Sequence, residues 1–106
     1  REAVECVEEI AALGGVDLLF VGPADLTNSY GVPFQFDHAT VQRAIDRVAA
    51  AVVKAGKWWG TTSGSPEAAQ KALDRGARMI TCGADHVFLV RGFQNAAKEF
   101  GDLALK

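Results

Sequence analysis

Residues 16–26, VDLLFVGPADL, decide the predicted fold. An apolar run from Leu18 to Gly22, bounded by glycine and proline, is typical of a strand buried on both faces in a helix-covered parallel sheet. Asp25 follows the carboxyl end of this strand, where open parallel sheets and (β/α)8 barrels bind ligands. Asp25 is therefore a candidate metal ligand, and the alternative is a cap of a helix or turn.

Alternating helices and strands are predicted along the rest of the chain. Apolar spacing and Gly or Pro punctuation predict helices at residues 2–13, from Asp37 or His38 to Gly56, from N-cap Ser65 to Gly76, and at residues 86–100. Strands are predicted at residues 57–62 and 77–82. The order αβαβαβα implies parallel strands with right-handed crossovers, and it places Asp25, Thr62 and Asp85 on one edge.

Three further segments carry structural predictions. Residues 27–36 have the composition of an ordered loop, whose Tyr30, Phe34 and Phe36 should pack against a neighbouring element. Asp85 is first predicted as the N-cap of the last helix and second as a site residue. Trp58 and Trp59 are interpreted as core or subunit-interface aromatics.

Composition narrows the classes of function. The chain has 106 residues, 49% of them hydrophobic, which suits one small α/β domain. A net charge of −2 without a basic cluster argues against a nucleic-acid partner, and no apolar run is long enough to predict a membrane span. Cys6 and Cys82 lie in apolar contexts without metal-site spacing, which predicts reduced, buried thiols and a cytoplasmic location.

Three stretches carry a resemblance to a known family. GVDLLFVGPADLTNSYG at residues 15–31, REAVECVEEIAAL at residues 1–13, and GKWWGTTSGSPEAAQKALDRGARMITCGAD at residues 56–85 resemble the HpcH/HpaI aldolases. These are metal-dependent enzymes that cleave or form 4-hydroxy-2-oxo acids. Spacing alone does not separate a slice of a barrel from a three-stranded open sheet. The resemblance implies the C-terminal portion of a (β/α)8 TIM barrel, with residues 1–106 as one partial domain from helix 5 to helix 8.

The resemblance also implies roles at the site. Asp25 would be one of two carboxylate ligands of a divalent metal such as Mg, Mn or Co, and the second, a Glu, is expected just before Arg1. The backbone of Gly22, Pro23 and Ala24 would lie against the substrate carboxylate, although Pro23 has no N–H to donate. Thr62 stands where the family usually has an apolar residue facing the oxo acid.

No catalytic residue is assigned in this chain. The resemblance places the base His and the substrate-binding Arg in the N-terminal half of the family. His38 and His86 each flank a predicted helix start and have no Ser, Cys or acid at triad spacing.

Two functions remain open at this point. The first is a metal-dependent aldolase that acts on a 2-oxo acid and an aldehyde, yields pyruvate as one product, and forms a homo-oligomer. The alternative is a non-catalytic α/β module that self-assembles through its open sheet edges.

Overall fold

Three parallel strands form the sheet in the computed structural model, which describes residues 1–101 and residue 103. The strands are β1 (Leu18–Val21), β2 (Trp58–Ser63) and β3 (Met79–Cys82), with β2 in the centre. The helices are α1 (Glu2–Glu5), α2 (Val7–Ala12), α3 (Pro23–Ser29), α4 (Ala39–Lys54), α5 (Pro66–Asp74) and α6 (Asp85–Phe100). The α/β class and the parallel pairing are therefore as predicted.

Among the described residues, the helices pack mainly against one face of the sheet. Leu19 lies beside Trp59 in the β1–β2 register, and both contribute to the core beneath α4 and α5. On the other face, called the open face here, the side chains of Phe20, Trp58 and Met79 are 45%, 61% and 44% exposed. The prediction that the first strand is buried on both faces is wrong for the described chain, because no helix in it covers the open face.

The core depends on α4 and on Trp59. Val41, Ile45, Val48 and Val52 form the predicted apolar stripe of α4, and all four are buried. Trp59 is fully buried, and its indole Nε1–H donates to the Arg75 carbonyl oxygen at 3.2 Å. This hydrogen bond satisfies the indole and holds the end of α5 against the sheet.

Helix starts follow the polar signals at two of the predicted positions. The Ser65 hydroxyl accepts from the Ala68 N–H at 3.2 Å, and Pro66 is the first residue of α5. His38 is the N-cap of α4, where its Nδ1 accepts from the Thr40 N–H at 3.3 Å. Asp85 does not cap α6, because Ala84 is the N-cap and the Asp85 carboxylate accepts from the His86 N–H at 2.7 Å.

Two predicted segments have different secondary structure. The helix expected at residues 2–13 is interrupted at Cys6, whose φ of −116° leaves the helical region. The first residues of the loop expected at residues 27–36 are helical instead, because they belong to α3. Pro23 is the first residue of this helix. The hydroxyl of Thr27 bonds back to the Ala24 carbonyl, so a polar residue that suggests a loop is accommodated in a helical turn.

Both cysteines are free thiols, as predicted, but neither is buried. Cys6 is half-buried, and Cys82 is exposed at the end of β3. Cys82 pairs in register with the buried Ser63, yet no described helix packs over it. The apolar sequence context of Cys82 did not reveal that this end of β3 is exposed.

Helix α6 projects from the rest of the chain. None of its residues is buried, and Phe88, Leu89, Phe93 and Phe100 are all exposed. The radius of gyration is 18.0 Å, compared with about 13 Å for a compact chain of this length. None of the helices in the described residues is long and apolar enough to cross a membrane.

We expect the 106-residue chain alone to associate. The open face, the unpaired edges of β1 and β3 and the apolar side chains of α6 expose surface that self-association would bury. Light scattering at micromolar concentration should therefore give a mass above that of the monomer. A monodisperse monomer that unfolds cooperatively would contradict this expectation.

Candidate functional site

The carboxyl end of β1 passes directly into α3. Gly22 is the N-cap with extended backbone angles, φ −90° and ψ 100°, and its carbonyl accepts from the Leu26 N–H at 3.0 Å. Asp25 lies in the first turn of α3 and is exposed. The interpretation of Asp25 as the helix cap is wrong, because Gly22 occupies that position and no side-chain cap hydrogen bond is formed.

Gly22 and Asp25 share one small volume. A β-carbon built on Gly22 would lie 2.7 Å from Asp25 Oδ2, so the carboxylate occupies the space that a side chain would need. Val21 is buried with its partner Thr61 on the covered face, and side chains alternate along an extended chain. A side chain at position 22 would therefore point to the open face. The Asp25 carboxylate, which fills that space, lies on the open face at the carboxyl edge of the sheet.

Two hydroxyl groups continue this polar edge across the sheet. Thr62 follows the buried Thr61 in β2 and is exposed on the open face. Thr81 is its register partner in β3, and the two Oγ1 atoms are 2.9 Å apart. Sequence reasoning selected Thr62 but missed Thr81, although the predicted alternation of ARMITC could have placed the two on one face.

The predicted binding residues line one cavity of about 660 Å³. Its lining includes all five residues selected from the sequence, Gly22, Pro23, Ala24, Asp25 and Thr62. The remainder comes mainly from the covered side, including Ile45, Trp59 and Ala72. The volume lies in the range of small-molecule sites. Asp85 follows the carboxyl end of β3 as predicted, but it does not contribute to this cavity.

Thr27 joins the Gly22–Asp25 turn to the loop that follows α3. Its fully buried hydroxyl donates to the Ala24 carbonyl at 2.7 Å and accepts from the Phe34 N–H at 3.1 Å. Phe34 has a φ of +60°, which is uncommon for an aromatic residue. Phe34 and Phe36 meet edge to face with ring centroids 6.4 Å apart, and Phe36 lines the cavity.

The prediction that the aromatic residues of segment 27–36 pack against a neighbouring element is confirmed only in part. Tyr30 is half-buried and packs against the core, as expected for a residue of an ordered segment. Phe34 and Phe36 instead remain exposed and contact each other.

Charged groups lie on the α5 side of the cavity. Arg75 is held by Asp46, with Nε 3.2 Å from Oδ1, and by Gln42, whose Oε1 accepts from Nη2 at 2.8 Å. Hydrogen bonds from the backbone N–H of Glu67 and from the Ser65 hydroxyl hold the pKa of the Glu67 carboxyl below its ordinary value. Glu67 is therefore anionic at neutral pH, and Arg75 is already engaged in joining α5 to α4.

The described residues contain no cluster of three or more His, Cys, Asp or Glu side chains that could hold a metal ion. Asp25 is the one carboxylate that the sequence assigned to a metal, and Asp37 and Glu67 also line the same cavity. What the geometry brings together is one carboxylate, two hydroxyls and a short backbone turn at the carboxyl edge.

Parallel strands with helices on one side and polar groups at the carboxyl edge are typical of part of a (β/α)-type protein, a class that binds its ligands at that edge. Comparison with known proteins is consistent with this class. The family model described as HpcH/HpaI aldolase/citrate lyase matches residues 1–91. The chain therefore belongs to the HpcH/HpaI family.

Individual relatives agree with the family match. The chain is 42% identical over 93 residues to a hydroxypyruvate/pyruvate aldolase of Paraburkholderia phytofirmans, covering 88% of this chain and 36% of the relative. It is 33% identical to a 4-hydroxy-2-oxo-heptane-1,7-dioate aldolase of Shigella flexneri, covering 96% of this chain and 38% of that enzyme.

A solved structure gives the same result for the fold. The crystal structure of an HpcH/HpaI aldolase/citrate lyase family protein from Burkholderia cenocepacia superposes with a TM-score of 0.84 at 42% identity. The match covers 93% of this chain and 38% of that chain. The chain thus spans well under half the length of the relatives that it matches, and its fold is that of part of a TIM-barrel aldolase.

Replacing Thr27 with Val should lower the free energy of unfolding by about 1–3 kcal/mol, because two hydrogen bonds of roughly 0.5–1.5 kcal/mol each are lost. Thr27→Ser keeps the hydroxyl and should retain most of the stability. Chemical denaturation gives the free energies, and amide exchange at Phe34 should accelerate only in the Val variant. Equal stability and exchange in the two variants would show that the hydroxyl does not hold this loop.

Proposed function

We propose that the whole protein is a divalent-metal-dependent aldolase that cleaves or forms 4-hydroxy-2-oxo acids, with pyruvate as one product. The 106-residue chain contributes the C-terminal part of its site. The observation that carries the proposal is the Asp25 carboxylate, folded back over Gly22 at the carboxyl edge of the sheet. Membership of the HpcH/HpaI family and the aldolase names of its relatives support it.

The donor chemistry of Asp25 suits a hard dication. Mg²⁺ and similar ions take oxygen ligands and often use only one or two protein carboxylates, with water and substrate completing the shell. Asp25 is exposed and so accessible to such an ion. The second carboxylate, a Glu, is expected from another part of the whole protein. When bound, the ion would chelate the oxo acid and stabilise the charge of the enolate.

The chain's own residues would orient the substrate. The backbone turn of Gly22, Pro23 and Ala24 lines the cavity beside Asp25, and the Ala24 N–H is the donor we assign to the substrate carboxylate. Pro23 fixes the backbone there but donates no hydrogen bond. Thr62 lies on the adjacent strand, where its exposed hydroxyl can contact a substrate bound at this turn.

The alternative of a self-assembling, non-catalytic module has its own supporting observation. The open face and α6 carry exposed apolar side chains, which suit an interface. Assembly alone does not explain why Gly22 leaves room for a carboxylate at the cavity edge. Metal-dependent carbon–carbon cleavage by the whole protein separates the two proposals, because only the aldolase predicts it.

The first expected outcome concerns Asp25 in the whole protein. Asp25→Ala and Asp25→Asn should each weaken metal binding and turnover by at least about 100-fold, since loss of a direct ligand should exceed the 10–100-fold cost typical of outer-shell changes. Asn keeps the shape but removes the charge. The measurement is coupled pyruvate release with added Mg²⁺, Mn²⁺ or Co²⁺.

The 106-residue chain alone, assayed alongside, should show no appreciable turnover. Its described residues contain no group of three or more His, Cys, Asp or Glu side chains that could hold a metal ion. The second carboxylate ligand of the hard dication is expected from another part of the whole protein. Full activity in Asp25→Ala would refute the role of Asp25. Metal-dependent turnover by the 106-residue chain would refute the need for the other segments.

A second expected outcome concerns Gly22. In Gly22→Ala the new methyl group would meet Asp25 Oδ2 at 2.7 Å, and the flexible carboxylate would move away at little cost to folding. Metal affinity, measured by calorimetric titration, should fall by roughly tenfold or more, while the Tm changes by only a few degrees.

Gly14→Ala is the matched control for this variant. A β-carbon at Gly14 would meet nothing within 4 Å, and Gly14 does not have a positive φ. It should bind metal as the unsubstituted protein does. Unchanged metal affinity in Gly22→Ala would show that the position of the carboxylate over Gly22 is not the one that binds the ion.

A further inference from the structure

We infer that the hydroxyl pair of Thr62 and Thr81 binds a hydroxyl group of the substrate and so makes the site selective for hydroxylated over methyl-bearing substrates. The inference rests on the proposed function for the position of the substrate, and it deepens that function by naming a substrate class. It concerns specificity, which the proposed metal site leaves open.

The pair lies next to the candidate metal ligand. Val21 pairs with Thr61, so the following residues, Gly22 and Thr62, lie side by side at the end of β1 and β2. The Asp25 carboxylate occupies the volume over Gly22, and Thr81 continues the row on β3. Since neighbouring strands are about 4.8 Å apart, Thr62 is one strand from the carboxylate and Thr81 is two. A small oxo acid held at Asp25 can therefore reach the pair.

The hydrogen-bonding capacity of the pair matches a hydroxyl group. One O–H is used in the 2.9 Å contact between the two Oγ1 atoms, whichever atom donates. The other O–H remains as a donor, and the two oxygens keep lone pairs as acceptors. A substrate hydroxyl can both donate to and accept from such a pair, whereas a methyl group can do neither.

The surroundings make this polar pair distinctive. The open face below it carries Phe20, Trp58 and Met79, and the Met79 side chain lies over Gly60. The hydroxyls are therefore confined to the carboxyl edge, where Thr62 lines the cavity. A site that offers hydrogen bonds to a hydroxyl discriminates against an analogue that lacks it, because its polar groups then lose their partner.

A purely structural role would also place two threonines opposite each other, since such cross-strand pairs stabilise sheets. The two roles predict different measurements. Loss of a sheet contact lowers stability and affects all substrates alike. Loss of a substrate contact lowers kcat/KM only for the hydroxylated substrate.

The experiment uses the whole protein with Thr62→Val, Thr81→Val and Thr62→Ser. Two matched substrate pairs locate the hydroxyl: hydroxypyruvate against pyruvate with one aldehyde, and glycolaldehyde against acetaldehyde with one oxo acid. In the substrate pair whose hydroxyl contacts the threonines, each Val variant should reduce kcat/KM for the hydroxylated substrate about tenfold, which corresponds to one hydrogen bond. The kcat/KM for the methyl-bearing substrate of that pair should change less than about twofold. Thr62→Ser should retain the preference.

Thr40→Val is the control for removing a hydroxyl elsewhere, because Thr40 lies in the first turn of α4, where its hydroxyl accepts from Arg43. It should leave every ratio unchanged. Calorimetric binding of hydroxypyruvate and pyruvate to the metal-loaded protein provides a second measurement for any variant whose turnover is too low.

Three results would overturn the inference. Equal losses for both members of each pair would assign the threonines to structure, and unchanged ratios in both Val variants would show that they do not contact the hydroxyl. Absence of carbon–carbon cleavage in the unsubstituted whole protein would instead refute the proposed function, and the inference with it. The first two results leave the aldolase proposal intact.

Discussion

The parallel pairing of β2 with both of its neighbours is the constraint on which the rest of the structure depends. Because β1, β2 and β3 run in the same direction, their carboxyl ends meet at one edge. Residues from three separate stretches, Asp25, Thr62 and Thr81, are thereby brought to one row. Reversal of any strand would send one of these groups to the opposite end of the sheet.

The same pairing separates the sheet into two chemically different faces. On the covered face, Trp59 and its neighbours are buried under α4 and α5, and the burial of apolar side chains there supplies the main favourable term in folding. On the open face, apolar side chains stay exposed in the described chain. Asp25, Thr62 and Thr81 lie at the carboxyl edge of this open face, whereas the other residues that line the cavity come mainly from the covered side.

Sequence patterns predicted the sequential elements better than their contacts. Gly and Pro punctuation located the three strands and the start of α5 at Ser65, because these residues impose backbone conformations locally. Burial on both faces, buried cysteines and Asp85 as a cap were wrong, since each depends on what packs nearby or on a shift of one residue. Sequence alone likewise did not reveal that the Asp25 carboxylate occupies the space that a side chain at position 22 would fill.

The geometry divides the site into two parts with different requirements. The Gly22–Asp25 arrangement tolerates little change, because a side chain at position 22 and the carboxylate compete for the same volume. Thr27 reinforces it by holding the Ala24 carbonyl and the following loop with one buried hydroxyl. The Thr62–Thr81 pair is under no such steric restriction, since both side chains lie at an accessible edge. Under the proposed function, substitutions at Thr62 and Thr81 would change which substrate is accepted while the Gly22–Asp25 turn stays fixed.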